Sequence, residues 1–341
     1  MLKRGIVIPE KLPSPEAMEF ATSLEPAGFD IAWLTEIARD PFTRAATILD
    51  RTTRLVVGTA VALWTRSPVT SAMTAAELHE LSAGRFIYGV GTGTAEASAA
   101  IHNIPWDKPA RQMSEYLRVV RGAWDAQDGR TLTLDGDYHP VRGFSQPFHR
   151  AAPKLMMAAV QKGMLRVAAR QADGVLFNPA STVRYVKNYA IPTLTSAAEA
   201  AGRRAEDIER FVTLRCAVHE DRDRARHWAR LSICEYGRFP VHQRVYEMNG
   251  FGAEAEIIAS AMSNGERDRA LGAVTDAMVD AFSVSGTPDD VRAQLRSWEG
   301  LVHGVALTSP SFELTLDELR ENCAAIRDAF SIPPAERGGA G

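Results

Sequence analysis

A chain of 341 residues with 45% hydrophobic and 24% charged side chains can bury a sizeable core, either as one large α/β barrel or as two ordinary domains. Lys and Arg number 39 against 42 Asp and Glu, a net charge of −3 without a dense basic block, so nothing points to nucleic acid or to a polybasic membrane contact. No apolar run reaches the roughly 18 residues of a membrane span, and Lys3 and Arg4 lead straight into strand-like residues without a secretory leader, which predicts a cytoplasmic protein.

In chain order, Gly5–Pro9 (GIVIP) reads as a short strand, followed by a helix from Ser14 that Gly28 ends. Phe29–Thr35 is a second strand. Asp40 and Pro41 open a helix that buries Phe42, Ala45, Ala46, Ile48 and Leu49. The next stretch organises the rest. Leu55–Leu63 is a nearly continuous apolar run with β-branched Val56, Val57 and Val61, the pattern of a strand covered on both faces. Ser67 and Pro68 start a helix that Gly84 stops, and Phe86–Val90 is the next strand. Strand, crossover helix and parallel strand make a βαβ unit, right-handed by general rule.

Beyond Gly93 the chain wanders to a helix over Arg111–Ala126, and Asp128–Ala152 is a second excursion whose TLTLDGDYHPV predicts a hairpin turning at Asp135 and Gly136. Lys154–Val160, Gly174–Phe177 and Phe211–Val218 are further strands, with a long helix over Thr182–Ala201. His219–Ser285 reads as two or three helices with no barrel strand, Thr287–Asp290 as a strong helix start, Val302–Thr308 as the eighth strand and Leu316–Phe330 as the last helix. Cys216, Cys234 and Cys323 are odd in number, widely separated and outside any Cys-x-x-Cys pair, which suits structural thiols.

Eight strands alternating with helices predict an α/β protein, a (β/α)8 TIM barrel with insertions after strands 4 and 7. Residues 1–330 form its single domain, with insertions near 94–110, 128–152 and 220–285 and a tail over 331–341. A barrel takes about 250 residues, which leaves about 90 for the excursions. An open doubly wound sheet would place a Gly-x-Gly-x-x-Gly turn after the first strand, and Gly5–Lys11 has none. The active site of a barrel lies over the C-terminal strand ends, here Glu10, Thr35, Glu36, 60–64, 91–94, 159–163, Asn178, His219 and Ser309. These positions hold no Ser-His-Asp set, no metal spacing and no P-loop. Small residues and backbone dominate, the profile of a mouth holding a planar cofactor that does the chemistry itself.

The segments WLTE, GTAVAL and LSAGRFIYGVGTG, in this order along the chain, resemble the luciferase-like monooxygenase superfamily, and WLTEIARDPFT resembles its branch of oxidoreductases that use the deazaflavin F420. The resemblance runs from about Gly5 to about Ser309. It implies hydride transfer between F420 and a small organic substrate. FMN monooxygenation, or cofactor binding without catalysis, stays open as an alternative. It also implies a bulge after the third strand with a cis peptide between Ala60 and Val61, pressing on the cofactor ring beside Thr59. Cofactor contacts are then expected from Thr35 and Glu36, from Gly91, Thr92 and Gly93, and from Ala159, Val160, Gln161, Lys162 and Gly163. The last five start a helix, whose first N–H groups favour a phosphate. Glu36 is the acid expected to assist catalysis, with a capping or salt-bridging role as its alternative, and Ile37 stands where relatives carry a histidine. Thr94, Ala97 and Ser181 replace the Glu, Asn and Lys of sugar-phosphate dehydrogenase relatives, which disfavours such a substrate. His102, His139, His149, Trp64, Trp106, Phe144 and Phe148 are weaker candidates for the mouth. No metal is expected, and a homodimer is the assembly considered.

Overall fold

The apolar runs become strands with both faces covered, and the chain pairs them in parallel. In the computed structural model, which describes residues 2–95 and 97–332, the strands are β1 (Lys3–Val7), β2 (Ile31–Leu34), β3 (Val56–Thr59), β4 (Ala62–Leu63), β5 (Phe86–Gly91), β6 (Leu132–Leu134), β7 (Val141–Phe144), β8 (Lys154–Ala158), β9 (Gly174–Phe177), β10 (Glu209–Val218), β11 (Ser283–Gly286) and β12 (Gly304–Thr308). The helices are α1 (Ser14–Ala27), α2 (Pro41–Asp50), α3 (Pro68–Leu81), α4 (Pro109–Asp125), α5 (Lys162–Gln171), α6 (Val183–Tyr185) and α7 (Ile191–Glu199). After β10 come α8 (Arg222–Gly237), α9 (Pro240–Met248), α10 (Gly252–Ser263), α11 (Arg267–Gly272), α12 (Asp276–Phe282), α13 (Pro288–Leu295) and α14 (Leu316–Ala329).

In the main sheet β10 neighbours β12, followed by β1, β2, β3, β5, β8 and β9, and β9 pairs back with β10. The fold class is therefore the (β/α)8 TIM barrel that the eight apolar runs predict. Register is parallel, with Gly5 beside Ala306, Gly58 beside Ile87 and Gly89 beside Met156. β4 resumes the third strand after a break and pairs with β5.

Three expectations need correction. The region after β10 carries five helices, α8 to α12, and ends in the short strand β11, which lies beside the upper half of β10 with Arg215 opposite Ser283. Four residues of alternating Ser and small side chains are too short and too polar to signal a strand by periodicity. The hairpin β6–β7 is joined by six residues, 135–140, so Asp135 and Gly136 only begin its turn. The helix expected over Thr182–Ala201 contains a π turn at Val186–Ala190, one residue ahead of Pro192, which lacks the N–H that a regular turn would need.

The chain gathers into two compact units. The first comprises 2–32, 177–192 and 210–332 among the described residues. Its β10 and β12 are buried almost throughout, and fully buried Asn322 of α14 accepts from the Val218 N–H at 2.7 Å while donating to the Cys216 carbonyl and the Ser309 hydroxyl. Thr287 and Asp290 form the capping box that the sequence announces. All three cysteines are buried and free.

The second unit comprises 33–176 and 193–209. Gly58 lets β3 lie against Trp33, since a Cβ there would sit 2.4 Å from the indole ring. The β6–β7 hairpin is fastened by Glu115 of α4, only 3% exposed, which accepts backbone N–H bonds from Asp137, Tyr138 and His139. Burial raises its pKa, but the three donors outweigh burial and hold it below the ordinary carboxylate value. A depressed folded-state pKa contributes stability that is complete above the unfolded value of about 4.3 and is lost as pH falls through the folded value. The Glu115→Ala protein is thus expected to lose about 2–3 kcal/mol and to be cleaved faster within 130–144 by a protease, while the parent should show the same faster cleavage only in acid. Among the described residues, no helix is long and apolar enough to cross a membrane.

Candidate active site

Three strand-end loops of the second unit adjoin one another: 60–64 after β3, 91–94 after β5, and 159–163 after β8. The peptide between Ala60 and Val61 is cis, at the bond the family resemblance singles out. Backbone hydrogen bonds hold the loop on both sides, from Ala60 N–H to the Leu34 carbonyl (2.7 Å), from Glu36 N–H to the Val61 carbonyl (3.2 Å) and from Trp64 N–H to the Gly91 carbonyl (3.0 Å). The Val61 side chain leans toward Gly91, where a Cβ would stand 2.6 Å from Val61 Cγ2 and 3.2 Å from Ala158 Cβ. Glycine is required there by close approach.

Glu36 closes this arrangement. Its Oε2 accepts from Leu63 N–H at 2.8 Å and its Oε1 from Arg66 Nε at 2.7 Å, while Arg66 Nη2 donates to Asp40 at 2.5 Å. Asp40 in turn caps α2 by accepting from Thr43 N–H. Burial works against the Arg66 charge, but Glu36 and Asp40 outweigh it and raise its pKa further. The Arg66 guanidinium also lies 5.1 Å from the centre of the Phe42 ring. With a side chain only 14% exposed and both oxygens engaged, Glu36 is a strut between β2 and the 60–64 loop, the salt-bridging position that was the alternative to a catalytic acid.

The other expected residues divide by what their polar groups already do. Thr35 and Ala60 are half-buried beside the loop. Thr59 is fully buried, and its hydroxyl donates to the Gly89 carbonyl (2.6 Å) and accepts from the Gly89 N–H (2.9 Å), stitching β3 to β5. Thr92 is half-buried; its carbonyl accepts from the Ser98 hydroxyl, which accepts from Trp64 Nε1 at 3.2 Å. Gly93 is exposed with φ of +66°. Ala159 is buried and donates its N–H to Leu176, Val160 and Gln161 are half-buried, and Lys162 and Gly163 are exposed at the start of α5. Gln161 occupies the α5 N-cap without a side-chain cap bond, which leaves the first-turn N–H groups to an external acceptor.

The weaker candidates mostly fall elsewhere. Ile37, in place of a histidine, is 83% exposed. Trp106 meets Trp64 edge-on with centroids 5.5 Å apart, which joins it to the 60–64 loop. Phe144 and Phe148 instead line a groove of about 720 Å³ with Phe42 of α2 and Met73 and Leu81 of α3, so they are not part of the strand-end loops. His139 packs edge-on against Tyr116, and exposed His149 lies 3.2 Å from Asp128. Ser181 is buried in the turn after β9, its hydroxyl donating to Asn178 Oδ1. Arg66 and Ser98 are the residues that sequence reasoning missed. Neither stands at a strand end, and only the Asp40 cap hinted at the network. Among the described residues, no group of His, Cys, Asp or Glu is placed to hold a metal.

Residues 5–303 match the family described as luciferase-like monooxygenase. The chain is 31% identical over 317 residues to an uncharacterized protein of Mycobacterium tuberculosis, covering 89% of this chain and 92% of that one. It is 28% identical over 299 residues to the 5,10-methylenetetrahydromethanopterin reductase of Methanolobus tindarius, covering 85% and 89%. Among solved structures, the coenzyme F420 dependent tetrahydromethanopterin reductase of Methanopyrus kandleri superposes with a TM-score of 0.80 at 22% identity, covering 96% of this chain and 98% of that one.

Proposed function

The chain belongs to the luciferase-like monooxygenase family, and from that premise we propose that it is an F420-dependent oxidoreductase that moves a hydride between the deazaflavin and a small organic substrate. Relatives named as F420-dependent enzymes support the cofactor. The observation that carries the reading is the make-up of the three adjoining loops. They are mostly backbone and small side chains without a carboxylate of their own, and Glu36, which reaches the 60–64 loop from the end of β2, has both oxygens engaged within the protein. Such a surface can bind and orient a cofactor that does the chemistry itself.

The residues fit a large planar cofactor with an anionic tail. Ala60 and Val61 form a shelf for the ring, the 91–93 turn borders it with backbone groups, and the uncapped start of α5 offers N–H donors to a phosphate, with exposed Lys162 beside it. Bound F420 would supply the hydride and, with carbon in place of flavin N5, would react poorly with oxygen, which favours hydride transfer over oxygenation. Glu36, Arg66 and Asp40 keep the shelf in place. Trp106, half-exposed against Trp64, offers an apolar wall to the substrate.

The reading is tested by mixing the protein anaerobically with reduced F420 and a panel of ketones, aldehydes and imines, and following the return of the oxidised deazaflavin's visible absorption. Return with at least one compound, matched by stoichiometric product, is the expected result. Turnover only with reduced FMN in air, with oxygen consumed, would overturn it.

A further inference from the structure

The first unit holds a buried cation that makes no ion pair among the described residues. Arg215, third residue before the last of β10 and 1% exposed, donates from Nε to the Ser232 hydroxyl at 3.0 Å and from Nη1 to the carbonyls of Pro179 and Phe282. Among the described residues its Nη2 has no hydrogen-bond partner, and no partner of its other nitrogens is a carboxylate. The guanidinium carbon lies over the ring of Tyr236 of α8, 4.2 Å from its centre. Tyr236 is half-buried and its hydroxyl makes no hydrogen bond among the described residues, nor does the carboxyl of half-buried Glu235 beside it.

Two uncommitted polar groups thus stand by one buried charge whose own Nη2 is unpaired, while their surroundings are held in place. Tyr236 stacks on His242 with centroids 5.4 Å apart and an interplanar angle of 23°. His242 donates from Nδ1 to the Tyr236 carbonyl (3.1 Å) and accepts at Nε2 from Asn178 Nδ2 (2.7 Å). Burial pushes the His242 pKa down to about 4, so this ring adds no charge. Burial also raises Glu235 above the ordinary carboxylate range, against the pull of Arg238, Arg215 and Lys11, which weakens it as a counter-ion. A buried guanidinium with an unpaired N–H is costly on two counts, the unmade hydrogen bond and the uncompensated charge. Water would satisfy the first count only.

The position favours a ligand. Asn178 and Pro179 follow β9, and Arg215 pairs in register with Thr308, the last residue of β12, so the cluster sits at C-terminal strand ends, where barrels of this class place their binding groups. We infer that Arg215 Nη2 and the Tyr236 hydroxyl are the receptor for a carboxylate of a small organic acid, with Glu235 beside it. Ser232 and the two carbonyls hold the guanidinium so that its remaining edge faces the acid. Tyr236, over the guanidinium and partly exposed, is the side by which the acid enters.

The test needs no deazaflavin, so it is independent of the cofactor reading. Acetate and benzoate, each against its own amide, are titrated calorimetrically into the full-length protein. At least one acid should bind tenfold or more tightly than its amide. Tyr236→Phe keeps the ring over the guanidinium and should weaken that acid threefold to tenfold, leaving amide binding unchanged. Arg215→Gln, checked for folding by circular dichroism, should abolish the preference for the acid. If both acids bind no better than their amides, or if Tyr236→Phe binds the preferred acid as the parent does, the receptor is not there.

Discussion

Replacement of Gly89 by alanine is expected to lower the melting temperature by at least about 6 °C, a loss of at least about 3 kcal/mol. The added Cβ would stand 1.9 Å from the Thr59 carbonyl oxygen and 2.9 Å from Leu176 Cδ1. The oxygen belongs to backbone that cannot swing aside, because Thr59 is tied to Gly89 by both a donated and an accepted bond. Relief would require β3 and β5 to separate where the 60–64 loop begins. Gly272→Ala is the matched control. Nothing lies within 4 Å of a Cβ there, the backbone is helical, and alanine should leave the melting temperature unchanged or slightly raised. Equal effects at the two positions would show that the contact between β3 and β5 is looser than described.

Removal of the Glu36 strut should act on binding more than on folding. Glu36→Ala leaves the Leu63 N–H without its acceptor and Arg66 with Asp40 alone, so the 60–64 loop loses its side-chain tie to the end of β2 and keeps only the backbone bonds of Ala60 and Val61. A weakening of F420 binding by 30-fold or more, about 2 kcal/mol, is expected, with a fall in melting temperature of only a few degrees because the loop lies at a strand end. Glu36→Gln keeps an acceptor for Leu63 and loses the ion pair, so a smaller weakening, about threefold to tenfold, is expected. F420 affinity unchanged in the alanine variant would mean that the strut does not position the cofactor.

The sequence made the barrel legible because each strand is a short apolar run set off by helix signals. Asp40 with Pro41, Ser67 with Pro68, and Thr287 with Asp290 all stand at helix starts in the structure. β11 escaped because a strand of Ser-Val-Ser-Gly is recognisable only from its neighbour β10. The site was half legible. Gly91, Gly93 and the Ala60–Val61 bond could be placed from motif and strand end together. The partners of Glu36 could not, since Arg66 lies 30 residues along the chain and only the folding of the 60–64 loop against β2 brings the two together. Thr59 shows the opposite limit, for the family resemblance suggested a cofactor contact beside it while its hydroxyl bonds to Gly89. Arg215 lay inside an apolar strand, where sequence alone gives no measure of whether its charge is paired.

The most direct measurement of the central claim is a paired fluorescence titration of the purified protein with F420 and with FMN under one set of conditions. A dissociation constant for F420 at least tenfold below that for FMN, about 1.4 kcal/mol, is the predicted result. Equal or tighter binding of FMN would contradict it and move the protein to the flavin-dependent side of its family.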